Sequence, residues 1–241
     1  MEEERKIEEL QRLIDTHENI VFFGGAGVSV PSGIPDFRGE NGLYAKEYDG
    51  LTAEMLLSHS FFCLHPDIFY DFYKKHMLYP NAKPNIVHRK LAQWEKEGKL
   101  LAVVTQNIDG LHQKAGSKAV FELHGSIYRN YCEKCGKFYP PEYIRDSDGI
   151  PRCTCGGRIK PDVVLYEESL DQKVIEGAVR AIADADVLIV GGTSLTVYPA
   201  AGLIRYYRGN KLVLINRDET PYDGYANLIF RDPIGKVLGA I

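Results

Sequence analysis

No stretch of this sequence approaches the roughly 20 consecutive apolar residues that cross a bilayer as a helix, so no membrane partner is expected. Basic charge is not in excess either. Lys and Arg number 29 against 33 Asp and Glu, for a net charge of −4 and a pI near 6.0. That balance argues against a general binder of nucleic acid or anionic membrane, whose footprint would be basic. The opening Met1-Glu2-Glu3-Glu4-Arg5-Lys6 has neither the basic start nor the apolar run of a secretion signal. It leads into helical spacing at Ile7, Leu10 and Ile14. The expected location is the cytoplasm, and the expected partners are small molecules or specific proteins. Cysteine is scarce, at five residues. Four are clustered and read as metal ligands in a reducing compartment, while Cys63 alone reads as a small buried hydrophobe. Internal repeats, low-complexity segments and Pro/Gly/Ser linkers are absent.

A length of 241 residues, 44% hydrophobic and 26% charged, suits one large globular domain or one with a small inserted module. The apolar run Ile20-Val21-Phe22-Phe23 is short and rich in β-branched and aromatic residues, as a buried strand is, and it delivers Gly24-Gly25-Ala26-Gly27. Glycines there let backbone N–H groups approach a ligand, and a helix opening behind them would attract phosphate. The dinucleotide fingerprint of dehydrogenases would need a glycine where Val30 stands and an acid at the end of the next strand. The loop instead continues as Ser32-Gly33-Ile34-Pro35-Asp36-Phe37-Arg38, which offers a guanidinium for phosphate and an aromatic face.

Further strands are expected at 100–105, 119–123, 186–190 and 211–215. They end in Gln106-Asn107-Ile108-Asp109, His124-Gly125, Gly191-Gly192-Thr193-Ser194 and Asn216. Helices are expected from Pro66 through Phe69, Phe72, Tyr73 and His76, from an Asn85 cap to Gly98 around Trp94, over 171–183 and over 198–207. The alternation makes a doubly wound parallel α/β sheet, and such sheets gather ligand sites at the C-terminal ends of their strands. Cys132-x2-Cys135 and Cys153-x-Cys155 form a four-thiolate set with glycines to turn the chain, so a closed structural zinc site is expected. His124, at a strand tip, is the candidate general base at neutral pH. His17, His59, His65, His76, His88 and His112 are assigned structural roles.

Gly25-Ala26-Gly27-Val28-Ser29 with Ser32 to Arg38, Thr105-Gln106-Asn107-Ile108-Asp109, Phe121-Glu122-Leu123-His124-Gly125, the four cysteines and Gly192-Thr193-Ser194-Leu195 stand in one order along the chain. Together they resemble the sirtuins of bacterial type, NAD-dependent protein lysine deacylases. The resemblance implies a Rossmann-like domain of residues 1–126 and 160–241, interrupted by a zinc module at 127–159, with 35–85 as a second segment of the small unit. It implies a protein deacetylase that consumes NAD and acts on acetyl-lysine in extended protein segments, releasing nicotinamide, O-acetyl-ADP-ribose and free lysine. His124 would be the catalytic base, with Asn107 beside it. Gly25, Ala26, Gly27, Val30, Asp36, Phe37, Arg38, Gln106, Asn107, Ile108, Asp109, His124, Gly192, Thr193, Ser194, Asn216 and Asp232 would hold NAD.

Lys160 to Glu168 resembles the strand and loop against which the family pairs its peptide, with Val164 and Tyr166 forming the lysine slot. Two departures stand out. The second cysteine pair is one residue shorter than the family's, and Tyr166-Glu167-Glu168 replaces Phe-Gly-Glu. Tyr70 and Tyr73 align with the Tyr-x-x-Arg pair of succinyl-preferring members, and the missing arginine implies acetyl over succinyl. The rival readings are an ADP-ribosyltransferase or NAD hydrolase on the same scaffold, and a non-catalytic zinc or ADP-ribose binding module.

Overall fold

The computed structural model of the chain describes residues 2–37, 39, 42–45, 48 and 50–241. In order these form α1 (Glu2–Thr16), β1 (Ile20–Gly24), α2 (Ala53–Leu56), α3 (His59–Leu64), α4 (Pro66–His76), α5 (Ile86–Lys96), β2 (Leu100–Thr105), α6 (Leu111–Ala115) and β3 (Val120–Glu122). Then come β4 (Gly125–Cys132), β5 (Phe138–Tyr139), α7 (Pro141–Asp146), β6 (Ile159–Val163), α8 (Gln172–Ala183), β7 (Val187–Gly191), β8 (Leu212–Ile215), β9 (Leu228–Phe230) and α9 (Ile234–Gly239).

Six strands make one parallel sheet in the order β3-β2-β1-β7-β8-β9. The central strands β1, β7 and β8 are buried at every position, as apolar runs covered on both faces must be. One face packs Phe22, Val103, Ile189 and Val213 under α1, α5 and α9. The other packs Phe23, Val104, Leu188 and Leu214 under α8 and the 3-10 segment Ala200–Tyr206, the latter expected as an α-helix. A third core joins residues of α2, α3 and α4 to the small antiparallel sheet β5-β4-β6 and to Cys132 and Cys153.

β1 and β7 lie side by side although the chain between them builds β2 and β3 on the far side of β1. Successive connections therefore leave in opposite directions at this seam, which opens a crevice above the strand ends. α5 is fixed to that crevice by its cap. The Asn85 side chain accepts from the Val87 amide at 2.9 Å, and its Nδ2 donates to the Val28 carbonyl at 2.8 Å and the Ser32 hydroxyl at 2.9 Å. One expectation needs correction. Cys63 is exposed on α3 instead of buried, with its Sγ 3.4 Å from His59 Nε2. Tyr70 and Tyr73 are fully buried in the third core, where the Tyr70 hydroxyl donates to the Ile159 carbonyl. Their side of α4 faces the core because Phe69, Phe72 and the two tyrosines form its apolar stripe.

Asn85→Ala removes a helix cap and two hydrogen bonds to the loop after β1, one of them buried. A loss of about 3 kcal/mol is expected, seen as a Tm lower by roughly 6 to 12 °C. A shift of under about 2 °C would show that the cap does not hold this loop.

Candidate active site

Above the seam lies a cavity of about 500 Å³. Its walls come from the loop after β1, the tips of β2, β3, β7 and β8, the start of α9 and residues 163–168 of the small unit. Every cofactor and peptide residue expected from the sequence lines it, except Arg38, which lies outside the described residues.

The loop after β1 is seated on the loop after β7 by backbone contact. Gly25 N–H donates to the Gly191 carbonyl at 3.3 Å and Gly27 N–H to the Gly192 carbonyl at 2.9 Å. A Cβ on Gly27 would sit 2.8 Å from Gly192 Cα, so a side chain there would drive the loops apart. This corrects only the expectation that a helix opens directly behind the glycines. Two of the loop's amides are spent on joining the loops, and only the 3-10 turns Ala26–Val28 and Val30–Ser32 follow.

So seated, the loop delivers Ser29 to the tip of β2. Asn107 Nδ2 donates to Ser29 Oγ at 3.1 Å, and that hydroxyl donates to Asp109 Oδ2 at 2.6 Å. The other Asp109 oxygen accepts from the Leu111 amide at 2.9 Å. All three side chains are buried. Burial pushes the Asp109 carboxyl above its ordinary value, against the two hydrogen bonds that favour its charge. Gln106 Nε2 donates to Thr193 Oγ1 at 3.0 Å, linking the tips of β2 and β7. Sequence reasoning quoted Ser29 without assigning it a role. Nothing local signals that it will meet an acid 80 positions away.

His124 stands at the end of β3 with Nδ1 2.9 Å from the Gln106 carbonyl. A carbonyl only accepts, so Nδ1 carries the proton and Nε2 of the neutral ring keeps its lone pair. Burial lowers the imidazole pKa below its ordinary value, opposed by that bond. Gly125 follows at φ 75°, and a Cβ there would lie 2.0 Å from the Asp162 carbonyl, which explains the His-Gly pair. The His124 carbonyl accepts from the Val164 amide at 3.0 Å, so the histidine and the peptide segment are tied together. Tyr166 pairs through both backbone groups with Leu57 and His59, and its hydroxyl meets that of Tyr44. Its main chain is therefore already engaged, and only its side chain is left to the slot. From α4 it is His76 that reaches the cavity, joined by the following Met77, so that helix presents no arginine to an acyl carboxylate.

The Sir2 family model matches residues 25–199. The chain is a member of the Sir2 family, the sirtuins. It is 60% identical over 239 residues to an NAD-dependent protein deacetylase of Clostridium perfringens, covering 98% of each chain. It is 46% identical over 237 residues to one of Staphylococcus aureus, covering 98% of this chain and 97% of that one. A solved Sir2 structure with a deacetylated p53 peptide and 3′-O-acetyl ADP ribose superposes with a TM-score of 0.88 at 40% identity, over 97% of this chain and 96% of that one. A Sir2 complex with p53 peptide and NAD+ gives 0.85 at 40% identity, over 97% and 95%.

This sirtuin departs from the family pattern at Glu167, which has no glycine's freedom yet adopts a left-handed backbone at φ 74°. Such a conformation costs a side-chain-bearing residue about 1 kcal/mol or more. The Glu167 carboxylate offsets it by accepting from the Ser60 amide at 2.9 Å and hydroxyl at 2.6 Å.

The sulfurs of Cys132, Cys135, Cys153 and Cys155 lie within 4.8 Å of one another, with neighbouring pairs at 3.5 to 3.6 Å. A tetrahedral zinc with Zn–S near 2.3 Å needs edges of about 3.8 Å, so the shortened second pair still fits. Amide hydrogen bonds from Cys155 and the Tyr139 hydroxyl bring Cys153 down to about 5. At Cys135 the Lys137 amide pulls down, yet the neighbouring sulfurs push the thiol up to about 12. Four thiolates at one point need a divalent cation between them. Two of the ligands sit in the third core. Zinc removal by a strong chelator at neutral pH is therefore expected to lower the Tm by several degrees and release one zinc per chain. An unchanged Tm with zinc gone would separate the metal from the fold.

Proposed function

We propose that this chain is an NAD-dependent protein deacetylase acting on acetyl-lysine in extended segments of other proteins. The observation that carries the reading is the single cavity in which a half-buried imidazole with a free Nε2, the Asn107–Ser29–Asp109 chain and the Val164–Tyr166 segment face one another. NAD, when bound, supplies a ribose carbon that becomes electrophilic as nicotinamide leaves.

The chain's own residues do the rest. Gly25, Ala26, Gly27, Thr193 and Ser194 line the part of the cavity at the β1–β7 seam, and with Arg38 they are the proposed diphosphate site. Val30, Asp36 and Phe37 close it from the side. Gly192, Asn216 and Asp232 are the proposed adenosine contacts. The amides of Gln106 and Asn107 orient ribose hydroxyls, and Ile108 and Asp109 hold the carboxamide of nicotinamide. Ser29 fixes the carboxyl and amide at one spacing, so neither must reorganise when the sugar arrives. The acetyl-lysine stem lies between Val164 and Tyr166. The acetyl oxygen would bond to the ribose carbon as nicotinamide leaves; His124 Nε2 then takes a proton from a ribose hydroxyl, whose oxygen bonds to the acyl carbon, and water completes release of the free lysine amine and O-acetyl-ADP-ribose. Zinc is structural, because four protein sulfurs leave no open coordination position. The domain division 1–126 and 160–241 around 127–159, with 35–85 in the small unit, is supported by the third core, although β6 runs on to Val163 within the small sheet. A cytoplasmic location fits this reading, and among the described residues no helix is long and apolar enough to cross a membrane.

His124→Ala is expected to lose deacetylation by at least about 100-fold while retaining NAD binding. In the parent enzyme the base must be neutral and its pKa lies below the ordinary 6.5, so kcat/KM should hold steady through neutrality and fall only at more acidic pH. On one peptide, acetyl should leave faster than succinyl. Full turnover by His124→Ala would sink the assignment.

A further inference from the structure

We infer that Glu167 is a specificity-determining residue, selecting acetylated segments that carry a Lys or Arg close to the acetyl-lysine; the inference rests on the deacetylase reading above. Glu167 is exposed and lines the mouth of the cavity directly after Tyr166. Its backbone stays at φ 74°, and its carboxylate is pinned there by Ser60. Both pinning bonds, from the Ser60 amide and hydroxyl, use Oε2. Oε1 has no hydrogen-bond partner among the described residues and is left to face an incoming chain.

The neighbouring acids are already paired, and His59, which also acts on Glu167, is held by Glu168. Glu168 is paired with Lys160 at 3.1 Å and His59 at 2.8 Å, and it also accepts from the Leu165 amide. Asp36 faces Arg217 at 3.9 Å, and Asp232 pairs with Lys236 at 2.8 Å. Among the described acids at the peptide end of the cavity, Glu167 has no cation within ion-pair distance. The Ser60 bonds favour its ionised form and hold the carboxyl below its ordinary pKa, so it is charged at neutral pH. A fixed carboxylate with one oxygen open, at the edge of a site for an extended peptide, offers a fork or a point contact to guanidinium or ammonium. Because the carboxylate is already immobilised, pairing does not require it to lose further side-chain freedom.

The test compares acetyl-lysine peptides that differ only in a flanking Arg, Ala or Glu placed in turn at the two positions on either side. At low salt the enzyme is expected to favour Arg over Glu at one or more positions by about three- to tenfold in kcat/KM, carried by KM, with the ratio shrinking at high salt. Glu167→Gln can keep an oxygen on Ser60, and Glu167→Gly suits the left-handed backbone. Both should bring the ratio near one, and Glu167→Lys should invert it. A ratio near one in the parent, or one that persists in both neutral variants, overturns the inference while leaving the deacetylase reading intact. Turnover of no peptide at all overturns the deacetylase reading and this inference with it.

Discussion

The structure depends on a backbone contact at the seam where β1 meets β7. There Gly27 lies against Gly192 with no room for a Cβ, and two amide-to-carbonyl bonds fasten one loop to the other. Everything at the site inherits its position from that contact. The seated loop places Ser29 between Asn107 and Asp109, and Asn85 holds the loop from behind through Val28 and Ser32. A binding site made of strand tips is rigid, so preorganisation comes at little reorganisation cost when the ligand arrives.

The second requirement is that two chemistries meet at one place. The hydrogen bond between His124 and the Gln106 carbonyl fixes which ring nitrogen is basic, and the bond from Val164 to the His124 carbonyl ties that ring to the peptide segment. The small unit is therefore joined to the sheet through His124. Its zinc-ligating cysteines share a core with α2, α3 and α4 and stand apart from the cavity lining. A metal held there would bear on the cavity only through the wall that carries residues 163–168.

Much of this was legible from the residues. Short β-branched runs ending in polar or glycine residues announce buried parallel strands and their ligand-facing tips, and β1, β2, β7 and β8 follow those runs within a residue or so. The cysteine spacing announced the metal site. What escaped was set by long-range packing. Ser29 meets its acid only through the fold. β9, three residues long, shows no pattern of its own. The glycines line the cavity, and Gly27 also lets its loop lie directly against Gly192, a contact that local sequence does not reveal. Glu167 adopts a left-handed backbone angle, and Ser60 supplies its carboxylate with two hydrogen bonds that local sequence cannot reveal.

The central claim is that one cavity couples cleavage of NAD to removal of an acyl group. The most direct measurement follows isotopically labelled NAD with an acetyl-lysine peptide and counts products. The account predicts one nicotinamide and one O-acetyl-ADP-ribose for each lysine freed, with little nicotinamide released when the peptide is left out. Nicotinamide release that proceeds without deacylation, or label transferred onto protein, would contradict it.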